Sequence, residues 1–115
     1  MNIFISYRRK TWPFTQRLAE KLRAHLGAKV FVDTDSIDND DFDESILRHL
    51  RSSDVFVLVV SEYTFVPDRI NREGDWVRRE IGEALKLDLP VVLALVDGYT
   101  PPSPVQLPDD IQGTA

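Results

Sequence analysis

Three groups of side chains in this sequence are able to do chemistry. The first is Glu80 with Trp76. They stand four residues apart, so on a helix they project from one side. A carboxylate so placed can stabilise positive charge that develops on a substrate carbon. An indole beside it can stack on a flat, electron-poor ring and shield the carboxylate from water. The same spacing also describes an exposed helix glutamate next to arginines, with the tryptophan packed at an edge. Spacing alone leaves both readings open.

The second group is Arg8 and Arg9, which directly follow the apolar run Asn2–Ser6. Guanidinium groups suit diphosphate recognition. They equally suit ion pairs with the third group, an acidic segment at the same end of the fold. Between Asp33 and Glu44 that segment carries seven acids (Asp33, Asp35, Asp38, Asp40, Asp41, Asp43 and Glu44) and no base. Asp33, Asp35 and Glu44 fall at positions 1, 3 and 12 of a calcium loop. However, Ile37 occupies position 5 and Asp38 position 6, where a ligand and a glycine are needed, so no metal site is expected. His25 and His49 stand on different helices without matching partners. No glycine-rich phosphate loop follows the first apolar run, which disfavours Rossmann dehydrogenases and P-loop enzymes.

The elements that must hold these groups follow from periodicity. Asn2–Ser6 is a short apolar run, the form of a strand buried on both faces. Thr11 is placed to cap a helix with Pro13 in its first turn. Phe14, Leu18, Leu22 and Leu26 recur every four residues as its core face, and Gly27 ends it. Lys29–Val32 reads as a second strand. A second helix follows the acidic segment, capped by Asp40 or Asp41, with Phe42, Ile46 and Leu50 inward. Val55–Val60 is a third strand and Ser61–Gly74 a polar connection. Asp75 caps a third helix with Val77, Ile81, Ala84 and Leu85 inward. Pro90 ends it, Val91–Val96 is a fourth strand, and the proline-rich remainder is loop.

This alternation predicts an α/β fold, a flavodoxin-like doubly wound parallel sheet of four to five strands with helices on both faces. Ligands of such sheets bind at the carboxyl ends of the strands, here beyond Ser6, Asp33, Ser61 and Val96. The 115 residues make one domain, and 43% of them are hydrophobic, enough for a core. The sequence stops soon after the fourth strand. The expectation is a fragment that lacks a final strand or helix, or a part of a larger protein.

Composition removes further classes. The sequence has no cysteine, so thiolate chemistry and disulfides are excluded. The net charge is -5, but removing the seven clustered acids from the 19 leaves 12 against 14 bases. The acidity belongs to one segment, and nothing resembles the basic patch of a nucleic-acid binder. The apolar stretch Val55–Val60, which none exceeds, is far too short to span a bilayer, and the early positive charge follows the apolar segment instead of preceding it. A cytoplasmic, soluble protein is expected, with no membrane partner.

Four segments in order resemble TIR domains (the Toll/interleukin-1 receptor fold): Ile3-Phe-Ile-Ser-Tyr-Arg-Arg9, Val30-Phe-Val-Asp33 with its acidic loop, Val55-Phe-Val-Leu-Val-Val-Ser61, and Asp75-Trp-Val-Arg-Arg-Glu-Ile81. The resemblance covers the whole chain. It is strongest to the NAD-cleaving members, both the bacterial type and the animal NAD hydrolase of axon degeneration. It implies an NAD+ nucleosidase that releases nicotinamide and ADP-ribose or its cyclic form, with NAD+ as substrate and no cofactor. Activation by association with other TIR domains, a fused or partner sensor domain, and a place in immune, cell-death or antiphage signalling are implied too. It assigns Glu80 as the catalytic carboxylate. It assigns Trp76, Arg9, Arg8, Tyr7, Asp38, Phe42 and Ser61 to the substrate. Other members of the family only associate, as non-enzymatic scaffolds. The acidic loop departs from the family pattern in holding neither Gly nor Pro between Ile37 and Phe42.

Overall fold

A computed structural model describes residues 1–32, 44–66, 70–71 and 75–96. Strand β1 spans Asn2–Ser6, β2 Lys29–Val32, β3 Val55–Val60 and β4 Val91–Leu95. Helix α1 spans Trp12–Leu26, α2 Glu44–Arg51 and α3 Trp76–Lys86, and a single 3-10 turn, Arg9–Thr11, leads into α1. All four strands are parallel in the order β2-β1-β3-β4. This is the flavodoxin-like doubly wound arrangement, whose winding reverses between β1 and β3.

The side-chain period of two splits each central strand between two apolar layers. Ile3, Ile5 and Tyr7 join Val57 and Val59 under α1, with Ala19 as the deepest apolar helix residue. Phe4 joins Phe56, Leu58 and Val60 on the other face, under Ile46, Leu47 and Leu50 of α2 and Val77, Ile81 and Ala84 of α3. Phe31, Phe4 and Phe56 are register partners across β2, β1 and β3, and their rings lie 5.2 and 5.9 Å apart in a row. His49 of α2 stacks on Phe31 at 4.0 Å while remaining exposed.

Several expectations need correction. Leu26 is 59% exposed, and Thr15 and Ala19 are the buried residues of α1, flanked by half-buried Phe14, Leu18 and Leu22. A spacing of four advances about 40° per step around a helix, so the leucine stripe has left the sheet by its last member. Thr11 stands at the N-cap of α1, but its hydroxyl donates to the Arg8 carbonyl (2.7 Å) and caps nothing. The connection after β3 is not wholly polar. Phe65 and Ile70 are buried in the α2–α3 layer, and Ile70 is helical, its N–H bonded to the Val66 carbonyl at 2.9 Å.

The ends of the helices follow expectation more closely. Gly27 closes α1 in the left-handed region at φ 60°. Asp75 caps α3 by accepting the Arg78 N–H at 3.2 Å. At the far end of α3, Asp88 takes φ 55°. Its N–H bonds to Leu85 and that of Leu89 to Ala84, the paired closure of a Schellman motif. The proposed caps Asp40 and Asp41, any fifth strand and the proline-rich end lie outside the described residues. No described helix is long and apolar enough to cross a membrane.

Candidate active site at the carboxyl ends of the first and third strands

β1 is hydrogen-bonded on both sides, to β2 and β3, as β3 is to β1 and β4, so the carboxyl ends of these two central strands are firmly held points of that rim. Ser6 closes the strand. By alternation it faces the same side as Phe4, toward α3, and its residue is 1% exposed. Its hydroxyl donates to Oε1 of Glu80 at 2.8 Å. Glu80 lies in the second turn of α3 and is 6% exposed. The reading of Glu80 as an exposed helix carboxylate therefore fails. Burying a carboxylate is expensive unless it is hydrogen-bonded, and Ser6 supplies such a bond.

Two residues beyond Ser6, Arg8 turns inward as well and is 3% exposed. Nη1 and Nη2 donate to the two carboxylate oxygens of Asp75 at 2.6 and 2.9 Å, a bidentate pair. Nε and Nη2 both donate to the Thr64 carbonyl, at 3.1 and 2.7 Å. Arg8 thus ties three segments together: the end of β1, the turn after β3 and the first turn of α3. All four of these hydrogen bonds run within the rim itself. Among the described residues its ion-pair partner is Asp75.

The turn after β3 is built from hydroxyls. The Ser61 N–H donates to Thr64 Oγ1 (2.9 Å), Thr64 Oγ1 donates to the Val59 carbonyl (2.9 Å), and Ser61 Oγ accepts the Tyr63 N–H (3.1 Å). Ser61 is 4% exposed and shapes this turn. Tyr7 is buried on the α1 side, its ring 5.6 Å from that of Trp12. Arg9 is exposed at the rim. Next to it, the Lys10 ammonium sits 4.9 Å over the Tyr63 ring. The Tyr63 phenol is raised above its ordinary value by its hydrogen bond to Glu62 and by that residue's charge.

Of the residues expected at the site, the structure brings Glu80, Arg8, Arg9 and Ser61 to one rim and turns Tyr7 beneath it. Asp38, Phe42 and the side chain of Trp76 lie outside the described residues. Sequence reasoning missed Ser6 and Thr64 as members of this cluster and recognised Asp75 only as a cap. For Ser6 a signal exists: alternation puts it on the face of Phe4, under the layer that carries Glu80. Chemically, a buried, oriented carboxylate at the winding reversal of a doubly wound sheet suits stabilisation of an electron-deficient carbon in a bound ligand.

A family model for the TIR domain matches residues 3–114. The chain is 31% identical over 124 residues to the NAD(+) hydrolase sarm1 of Drosophila melanogaster, covering 100% of this chain and 8% of that protein. It is 32% identical over 116 residues to the NAD(+) hydrolase SARM1 of Danio rerio, covering 96% and 15%. It is 28% identical over 116 residues to the NAD(+) hydrolase tir-1 of Caenorhabditis elegans, covering 97% and 12%. The chain therefore spans a small part of the length of these relatives. Among solved structures, a 2-deoxyribosyltransferase from Bacillus psychrosaccharolyticus superposes with a TM-score of 0.61 at 16% identity, over 89% of this chain and 77% of that one. That likeness shows the fold.

Proposed function

The chain belongs to the TIR domain family, and from that premise we propose that it cleaves NAD+ at the bond between nicotinamide and ribose. The observation that carries this reading is the buried Glu80 carboxylate, held by Ser6 at the carboxyl end of β1. The relatives named NAD(+) hydrolases support the choice of substrate.

The chemistry asks little beyond that carboxylate. Nicotinamide in NAD+ is already a cationic leaving group, so no general acid is needed to expel it. The bond pair leaves with the pyridinium nitrogen, and positive charge develops on the ribose carbon and ring oxygen, as in glycoside hydrolysis. Glu80 offsets that charge. Water then forms the new bond and gives up a proton, leaving ADP-ribose, or a ring nitrogen of the substrate's own adenine forms it through its lone pair, leaving the cyclic form. Arg9 at the rim is the proposed diphosphate contact. Trp76, Asp38 and Phe42 complete the proposed site, with Trp76 stacking on nicotinamide. Tyr7 and Ser61 act through the shape of the rim, and Arg8 as its internal tie.

The proposal extends to association with other TIR domains as the activating step, in a cytoplasmic signalling protein that carries further domains. The test is NAD+ consumption by the purified domain clustered on a surface, beside Glu80→Ala. Release of nicotinamide by the parent and a loss of about 1,000-fold or more in the variant is expected. A clustered, folded parent without turnover would leave a scaffold that only associates.

A further inference from the structure

We propose that Ser6 is a positioning residue for Glu80, fixing the direction in which the carboxylate meets the reacting carbon. The inference rests on the reading of Glu80 as the catalytic carboxylate.

Two pairs join the end of β1 to α3. Ser6 meets Glu80, and Arg8 meets Asp75. The order is reversed along the two segments, as it must be for a helix that runs antiparallel to the strand it covers. Two residues of extended chain advance about 6.6 Å. Five residues of helix advance about 7.5 Å. The two pairs therefore match in rise and act as two rungs between strand and helix. The Arg8 rung sets the amino end of α3, and the Ser6 rung sets the side chain of Glu80.

A glutamate has three rotatable bonds, and a helix backbone alone leaves its carboxylate free to sample several directions. A hydroxyl donor on a strand paired on both sides removes most of that freedom. Reaction from one held geometry avoids the loss that a displacement of about 1 Å brings. The residues that surround Ser6 in this layer are apolar, Phe4 on β1 and Leu58 and Val60 on β3. A serine at 1% exposure interrupts that layer, and a buried hydroxyl costs free energy unless it is bonded. Its bond goes to the buried carboxylate of Glu80.

The experiment compares Ser6→Ala and Ser6→Thr with the parent in the clustered domain, each first shown by thermal unfolding to be folded. Ser6→Ala is expected to lower kcat about tenfold with KM for NAD+ unchanged, and Ser6→Thr, which keeps the hydroxyl, to recover most of it. In a crystal structure of Ser6→Ala the Glu80 carboxylate should leave its parent position while the α3 backbone stays. Parental kcat in Ser6→Ala, a threonine variant as slow as the alanine one, or an unmoved Glu80 would overturn the inference. These outcomes are separable from failure of the site reading. That reading fails if Glu80→Ala still cleaves NAD+ or the parent does not, and the crystal structure judges Ser6 in either case.

Discussion

Arg8 and Arg9 are neighbours of the same type, yet the fold gives them opposite tasks. Arg8 is buried against Asp75 and the Thr64 carbonyl, whereas Arg9 is exposed at the rim. Removing one partner of a buried, fully bonded pair leaves the other charge stranded, at about 3–5 kcal/mol. Arg8→Ala is therefore expected to lower the free energy of urea unfolding by about that amount. Arg8→Lys should rescue little, because an ammonium cannot span two carboxylate oxygens and a carbonyl at once. Arg9→Ala should change unfolding by less than about 0.5 kcal/mol and raise KM for NAD+. An Arg8→Ala domain as stable as the parent would contradict the role assigned to the pair. At this scale the sequence was half legible. Glu80 stood out by its place beside Trp76 and by the family likeness, but its burial did not. The partners of Arg8 and Ser6 lie 67 and 74 residues away, and spacing along a chain reports only on neighbours within a turn or two.

The secondary elements were the most legible level, because each has its own repeat. β1 and β3 begin and end where their apolar runs do, and β4 stops one residue early at Leu95. The errors came where tertiary packing overrode pattern, as with Leu26. They also came where a short buried turn carried too few residues to show a period, as around Ile70. The two helix ends provide a matched test. Gly27 and Asp88 both occupy the left-handed region, at φ 60° and 55°. A Cβ added at Gly27 would meet nothing within 4 Å, so any cost of Gly27→Ala is backbone strain alone. Gly27→Ala is expected to destabilise by about 1 kcal/mol. Asp88→Gly is expected to stabilise by about 0.5 kcal/mol, since relief of strain outweighs the added freedom of the unfolded chain. Thermal unfolding of both variants checks the pair, and shifts of the same sign would refute the account of these caps.

At the scale of the whole molecule, the winding of the sheet does most to define the site. The order β2-β1-β3-β4 brings the ends of β1 and β3 together, and α3 packs across that junction with Glu80 on its inner side. The fold class was readable from alternating strands and helices, whereas the strand order needed the structure. The proposed activity includes activation by association with other TIR domains, the family to which the chain belongs. Tethering raises the local concentration into a range where weak association is complete. The rate per molecule is therefore expected to climb with density when the domain is anchored on vesicles at increasing coverage. A rate per molecule that is constant across that range would show an isolated domain already competent.

The central claim is that the negative charge of Glu80, held where the fold puts it, stabilises the departing nicotinamide's sugar. Glu80→Gln tests it most directly, because the amide keeps the volume and can still accept from Ser6 but loses the charge. In the clustered domain, nicotinamide release by Glu80→Gln should fall by about 100-fold or more at an unchanged melting temperature. Release at the parental rate from the folded amide variant would contradict the account.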